Sequence, residues 1–218
     1  MNSFPIEIEE FLLNNPFMSI CPTNTKNIVI KGEYSFDINL HDSDHIIDKY
    51  KIKIIIYNDF PHRLPKVFEL ENKIPKNSDF HVNWDHSLCL GSTLKILSSL
   101  KKNPDLNFFA EKFLLPYLYD TSRILKDNTK KRFFGELSHG VKGLIEDYKE
   151  VFDLKNKNQV LNTIDLLTLP YNLAKESKCS CGCGRKLKNC VLNDKIKEFK
   201  GYADESWYKS HLKNMLGE

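Results

Sequence analysis

What this sequence lacks narrows it first. No apolar run approaches the roughly 20 residues that a membrane-crossing helix needs, so a helical bilayer span is not expected. The opening residues MNSFPIEIEEF carry neither a basic start nor an apolar stretch behind it, so no export signal is expected and the reading places the chain in the cytoplasm. Neither sign of charge dominates. Lys and Arg number 32 against 29 Asp and Glu, a net +3 that lacks the overall basic footprint of a nucleic-acid binder. No internal repeat is visible, and strand and helix patterns do not alternate as βαβ units would require. What remains is a chain of 218 residues, 41% of them hydrophobic, with a mean hydropathy of −0.43. That is enough for one substantial core with a small appendage.

Periodicity orders the chain as helix, sheet, then helices, an α+β arrangement. Ile8, Phe11 and Leu12 share one face of a helix predicted over about Ile6 to Asn14, which Pro16 ends. In IVIKGEYSFDINL, Tyr34, Phe36, Ile38 and Leu40 alternate with polar partners, the period of a half-buried strand. YKIKIIIY (Tyr50 to Tyr57) and KVFEL follow as second and third strands, and short connections imply an antiparallel meander. Helical spacing returns over Phe108 to Leu125, with a kink or break expected at Pro116, and again over Leu137 to Phe152 and Val160 to Leu169. The polar, Gly-rich segment KESKCSCGCGRKLKNC does not fit that core. It is assigned to a small module with a closing helix that contains Trp207. The domains are therefore drawn at residues 1–155 and 156–218.

The window Phe60 to Ser92, FPHRLPKVFELENKIPKNSDFHVNWDHSLCLGS, holds the richest chemistry. A lone Cys between Leu88 and Leu90 is usually a small buried hydrophobe. Its company argues otherwise: Asn83 can donate an amide N–H to a developing oxyanion, and His81 can fix a loop by hydrogen bonding. An ordinary thiol with a pKa of about 8.5 is a few per cent ionised at neutral pH, enough for thioester exchange without a dedicated base.

The order of these residues resembles the active-site region of ubiquitin-conjugating enzymes. That family shows an aromatic-Pro turn closed by a further Pro, a strand, a His-Pro-Asn tripeptide and a catalytic Cys followed by Leu. Here Phe60-Pro61, Pro65-Lys66-Val67, His81-Val82-Asn83 and Cys89-Leu90 stand in that order, and the likeness covers about Met1 to Leu125. Val82 replaces the family's Pro, the His-to-Cys interval is shorter, and no Trp follows the Cys until Trp207. In these respects the chain is similar to bacterial relatives of anti-phage operons, of both ubiquitin-like conjugation and cyclic-oligonucleotide (CBASS) signalling types. The resemblance implies a UBC-like fold and a thioester-carrying transferase with Cys89 as nucleophile, Asn83 as oxyanion donor and His81 holding the loop. Asp85, His86 and His139 are candidates for orienting the incoming amine. Implied partners are a ubiquitin-activating-like enzyme and, as cargo, a ubiquitin-like protein or a CBASS nucleotidyltransferase; no membrane and no nucleic acid is called for.

The six cysteines are spread unevenly. Cys21 and Cys89 stand alone, while Cys179, Cys181, Cys183 and Cys190 fall within twelve residues. Four crowded cysteines in a chain without an export signal read as a metal site, and four thiolates around a tetrahedral ion suit zinc. Gly182 and Gly184 permit the tight turn. The string CSCGCGRKLKNC resembles the SEC-C motif, a short zinc knuckle of bacterial proteins, at Cys179, Cys181, Gly182, Gly184, Arg185, Lys186, Lys188 and Cys190. It departs from the motif twice. Val191 occupies the place of the fourth ligand and Cys183 replaces Ser, so Cys183 is expected to supply the missing thiolate, with His211 as runner-up. A closed four-ligand site implies a structural or docking role.

Two other readings stand beside the enzyme. One is a catalytically inactive module of the same fold that docks partners through its knuckle. The other is a zinc-dependent nucleic-acid adaptor, suggested by ten Lys and Arg against six Asp and Glu over Tyr171 to Glu218. Few aromatics interleave with those charges, so a base-stacking surface is not expected there.

Overall fold

A computed structural model of the chain describes residues 8–135 and 140–217. These form two compact units. One is built from the chain up to Gly91 and from Ser99 to the end of the first described stretch; the other comprises Ser92–Ser98 and the second described stretch.

The first unit is a meander of four antiparallel strands in sequence order, β1 (Met18–Cys21), β2 (Ile28–Ile38), β3 (Ile46–Ile56) and β4 (Lys66–Glu69), preceded by the short helix α1 (Glu9–Asn14). The alternation of β2 and β3 does what the sequence predicts. Register pairs Ile28 with Ile56, Ile30 with Ile54 and Tyr34 with Tyr50, so all six buried side chains line one face. Phe11 of α1 stacks on Tyr34 with ring centroids 6.3 Å apart. The expectation of three strands is corrected to four. Only Met18 of β1 is buried, and four residues are too few to show a period. Opposite Met18 lies Gly32, whose φ of 151° and closeness to Phe17 (a Cβ would stand 1.9 Å from its carbonyl oxygen) leave no room for a side chain.

Beyond the sheet, α2 (Thr93–Lys102) buries Leu94, Ile96, Leu97 and Leu100. Leu94, Leu97 and Leu100 recur at helical spacing, a short pattern not assigned to a helix above. The long helical stretch then runs as α3 (Leu106–Phe109), a π-turn over Ala110–Leu114, and α4 (Leu115–Lys126). The break expected at Pro116 is instead this π-turn. The Leu115 amide bonds back to the Ala110 carbonyl, widening the helix just ahead of a residue that has no N–H to offer. Tyr50 and Ser122 hydroxyls meet at 2.7 Å, and Ser122 donates to Asp48 at 2.7 Å, fastening α4 to β3.

The second unit is helical: α5 (Gly140–Phe152), α6 (Lys157–Thr168), α7 (Tyr171–Ala174), α8 (Leu192–Lys200) and α9 (Glu205–Leu216). Its core is aromatic, with Tyr148, Phe152, Phe199 and Tyr208 all buried. His211 is buried among them, 2.9 Å from the Tyr148 hydroxyl through Nδ1. Asn156 and Asp204 cap α6 and α9 by accepting the amides of Gln159 and Trp207. Among the described residues, no helix is long and apolar enough to cross a membrane.

Candidate functional site

Cys89 sits on a tight hairpin at the outer edge of the sheet. Val82 and Leu88 form an antiparallel bridge, the Asn83 amide donates to the Ser87 carbonyl at 2.8 Å, and the Cys89 amide donates to the His81 carbonyl at 2.7 Å. The Leu88 amide reaches the Val67 carbonyl at 2.8 Å, which ties the hairpin to β4 at the sheet's edge. His81 and His86 take left-handed conformations, with φ of 54° and 65°. These two residues bend the chain into the turn and back out of it.

The structure thus brings His81, Asn83, Asp85, His86 and Cys89 onto one short loop. His81 is buried; Asn83 and His86 are exposed; Cys89 and Asp85 are half-buried. His139 lies outside the described residues. On this hairpin Asn83, Ser87 and Cys89 fall on one face at two-residue spacing, with Asn83 opposite Ser87 and diagonal to Cys89. Asn83 Nδ2 donates to Ser87 Oγ at 3.0 Å, Ser87 Oγ donates to Asp85 Oδ1 at 2.6 Å, and Lys66 Nζ of β4 donates to Asp85 Oδ2 at 2.5 Å. Burial works against the Asp85 charge, yet Lys66 and the two bonds from Ser87 outweigh it and hold the carboxyl at about 2. Asp85, read from sequence as a group that faces an incoming amine, has one oxygen committed to Ser87 within the loop and the other to Lys66 of β4.

Two further residues escape the sequence reading. Tyr117 of α4 is buried and donates its hydroxyl to the Phe80 carbonyl at 2.7 Å. Burial raises its phenol well above the usual range, the Arg132 guanidinium opposes the shift, and negative charge on Cys89 adds to it. Arg132, nearly buried, donates to the Asp79 carbonyl at 3.2 Å. Tyr117 is therefore within electrostatic reach of both the thiol and Arg132, although it is near neither in sequence.

The second cysteine cluster is a knuckle in the helical unit. Lys178 and Lys186 form an antiparallel bridge, the Cys179 amide donates to the Arg185 carbonyl at 2.9 Å, and the Cys190 amide donates to the Leu187 carbonyl at 2.9 Å. Gly182 and Gly184, with φ of 85° and 76°, make the turn. The Sγ atoms of Cys179, Cys181, Cys183 and Cys190 all lie within 4.8 Å of one another, with Cys179 to Cys181 at 3.3 Å and Cys181 to Cys190 at 3.6 Å. Four sulfurs at about 2.3 Å from a tetrahedral zinc would stand about 3.8 Å apart, so the set is compatible with a metal site. Burial pushes the Cys179 and Cys181 thiols up, while the Arg185 backbone and side chain bring exposed Cys183 down to about 6. Buried thiols of this kind ionise against a cation. Val191 is 90% exposed, outside the cluster, and His211 is held by Tyr148 in the core.

The knuckle is also braced from outside. Gln159 donates to the Cys181 carbonyl at 2.8 Å, Ser180 and Thr163 hydroxyls meet at 2.7 Å, and Glu176 pairs with Lys186 and Lys188 at 3.0 and 2.9 Å. Compared with protein-family models, with curated proteins and with solved structures, the chain matches none.

Proposed function

We propose that the first unit is a ubiquitin-conjugating-like acyl carrier, which holds a protein C-terminus as a thioester on Cys89 and passes it to an amine. One observation carries the reading: a single sheet-edge hairpin presents a half-exposed thiol and, diagonal to it, an exposed carboxamide. The element order also agrees with the family that the sequence resembles: a helix, a four-stranded meander, the cysteine loop and then helices. In loading, Cys89 Sγ bonds to the carbonyl carbon of a donor thioester, and the donor thiol leaves with the proton. In transfer, the nitrogen of a lysine attacks that carbon, the C–S bond breaks, and the thiol of Cys89 regains a proton as the amide forms. In this reading Asn83 Nδ2–H donates to the oxyanion formed when the nitrogen attacks. By the same resemblance the setting is anti-phage defence in the bacterial cytoplasm, with a ubiquitin-activating-like enzyme as donor and a ubiquitin-like protein or CBASS nucleotidyltransferase as cargo.

The knuckle, in this proposal, binds zinc through Cys179, Cys181, Cys183 and Cys190. The ion supplies a cross-link between the turn at Gly182 and the turn leading into α8, with no open position for a substrate.

Intact mass spectrometry of the protein co-expressed with its genomic neighbours tests the enzyme reading. Wild type should carry an adduct of protein size that thiol reductant removes. Cys89→Ala should carry none, and Cys89→Ser a longer-lived ester of the same mass. Absence of an adduct on wild type and Cys89→Ser, beside active neighbours, would return the chain to the inactive docking module.

A further inference from the structure

We infer that Lys66, Asp85 and Ser87 form a polar relay that sets which end of the Asn83 carboxamide faces inward, leaving an N–H of Asn83 directed outward as the oxyanion donor. The inference deepens the thioester reading of Cys89 and rests on it for its catalytic meaning. The relay itself stands on geometry alone.

An asparagine amide can point either its oxygen or its nitrogen at a neighbour, and the two choices put opposite polarity on the exposed side. The neighbour here is Ser87, which is 3% exposed, so water does not mediate the choice. A serine hydroxyl has one proton and otherwise accepts. That proton is taken: Ser87 Oγ donates to Asp85 Oδ1 at 2.6 Å, and the Ser87 amide donates to the same oxygen at 3.1 Å. An ionised carboxylate cannot donate in return. Lys66 Nζ, 2.5 Å from Oδ2, holds the carboxylate ionised and in place. Toward Asn83, Ser87 is thus left with lone pairs only. The amide oxygen of Asn83 would meet them with repulsion, while Nδ2–H meets them as a donor at 3.0 Å. One Nδ2 proton is used inward and the other faces out, on the hairpin face shared with Cys89. Successive bonds in such a chain polarise one another, which strengthens each. Lys66, Asp85 and Ser87 are positioning residues; none is placed to touch the acyl group.

The test loads the full chain with a small acyl donor, the 2-mercaptoethanesulfonate thioester of a peptide ending in glycine, and follows single-turnover discharge to free lysine. Asn83→Ala should slow discharge about a hundredfold, as expected for loss of one oxyanion donor. Ser87→Ala should slow discharge about tenfold. Ser87→Thr, which keeps the hydroxyl, should stay near wild type. Asp85→Asn, which lets residue 85 donate and so reverses the logic, should match Ser87→Ala. The double variant Ser87→Ala/Asn83→Ala should be no slower than Asn83→Ala alone, because the relay acts only through Asn83. Discharge at the wild-type rate in Ser87→Ala, or additive losses in the double variant, would overturn the inference. A second readout needs no activity: in wild type one of the two side-chain N–H protons of Asn83 should exchange slowly with solvent, and Ser87→Ala should equalise them. If wild type never loads, the thioester reading fails and the amide protons still decide the relay; equal exchange in wild type would sink it.

Discussion

The chain bends twice around cysteine, and the two bends are built oppositely. In the knuckle the left-handed turn residues are Gly182 and Gly184, which adopt that conformation at little steric cost. In the Cys89 hairpin they are His81 and His86, for which the same region costs about 1–3 kcal/mol each. The knuckle gathers four sulfurs into one small volume, two of them with thiols pushed up by burial. The hairpin holds one half-exposed sulfur beside a chain of polar groups whose every hydrogen bond is directional. A cluster that easy to bend, with two thiols held neutral by burial, is compatible with a metal site. A hairpin bent with effort around a single thiol is organised around that thiol's surroundings.

Removing metal should separate the two regions most sharply. A structural zinc site contributes about 10 kcal/mol or more to the fold that holds it. A strong chelator, or Cys179→Ser, should therefore abolish native zinc binding and melt the helical unit, as read by near-ultraviolet dichroism of its aromatic core. Retention of that signal in a metal-free sample would break the comparison. Cys183→Ser should weaken zinc retention in native mass spectra while Val191→Ser leaves it unchanged, since Val191 is 90% exposed and outside the cluster.

Two effects of about 3 kcal/mol come next, one in each unit. Burial holds the His211 imidazole down at about 4 against an ordinary 6.5, so the folded state keeps it neutral where the unfolded chain takes up a proton. Stability of the helical unit is then full above pH 6.5 and falls as pH drops toward 4, by about 3 kcal/mol in total. Urea titrations between those pH values should show the loss, and His211→Gln should flatten it; an unchanged slope in that variant would remove His211 as the cause. In the sheet unit, Gly32→Ala should cost about 3 kcal/mol, because the new Cβ meets the Phe17 carbonyl in a backbone conformation unsuited to alanine. The smallest effect sharpens the contrast of turns. His86→Gly should raise stability by roughly 0.5–1 kcal/mol by relieving its left-handed strain, measured by thermal melting. His81→Gly, at a buried position, should instead lower it.

Much of this was legible in the sequence, and the illegible parts share a cause. Long strands announced themselves through Tyr34 and Phe36, and through Tyr50, Ile52 and Ile54, because two or more buried residues at period 2 make a pattern. β1 offers one buried residue and makes none. The four knuckle cysteines could be grouped from spacing alone. Val191, at the motif's fourth-ligand place, has no donor atom, so the fourth thiolate had to be sought elsewhere, and the structure gathers Cys183 with the other three sulfurs. His81, Asn83 and Cys89 were readable as a set through resemblance. The relay behind Asn83 was not, since Lys66 reaches Asp85 across the pairing of β4 with the hairpin, and such pairing is written in register, not in motif. Tyr117 comes within electrostatic reach of Cys89 in the same way, carried by a helix folded back from later in the chain.

The bond from the Leu88 amide to the Val67 carbonyl has a wider consequence. It ties the loop that carries the candidate nucleophile to the strand at the sheet's edge. Loop and sheet should therefore open together, as one cooperative block whose amides exchange at a common rate. Substitutions at the far end of β4 would then be felt in the Cys89 loop.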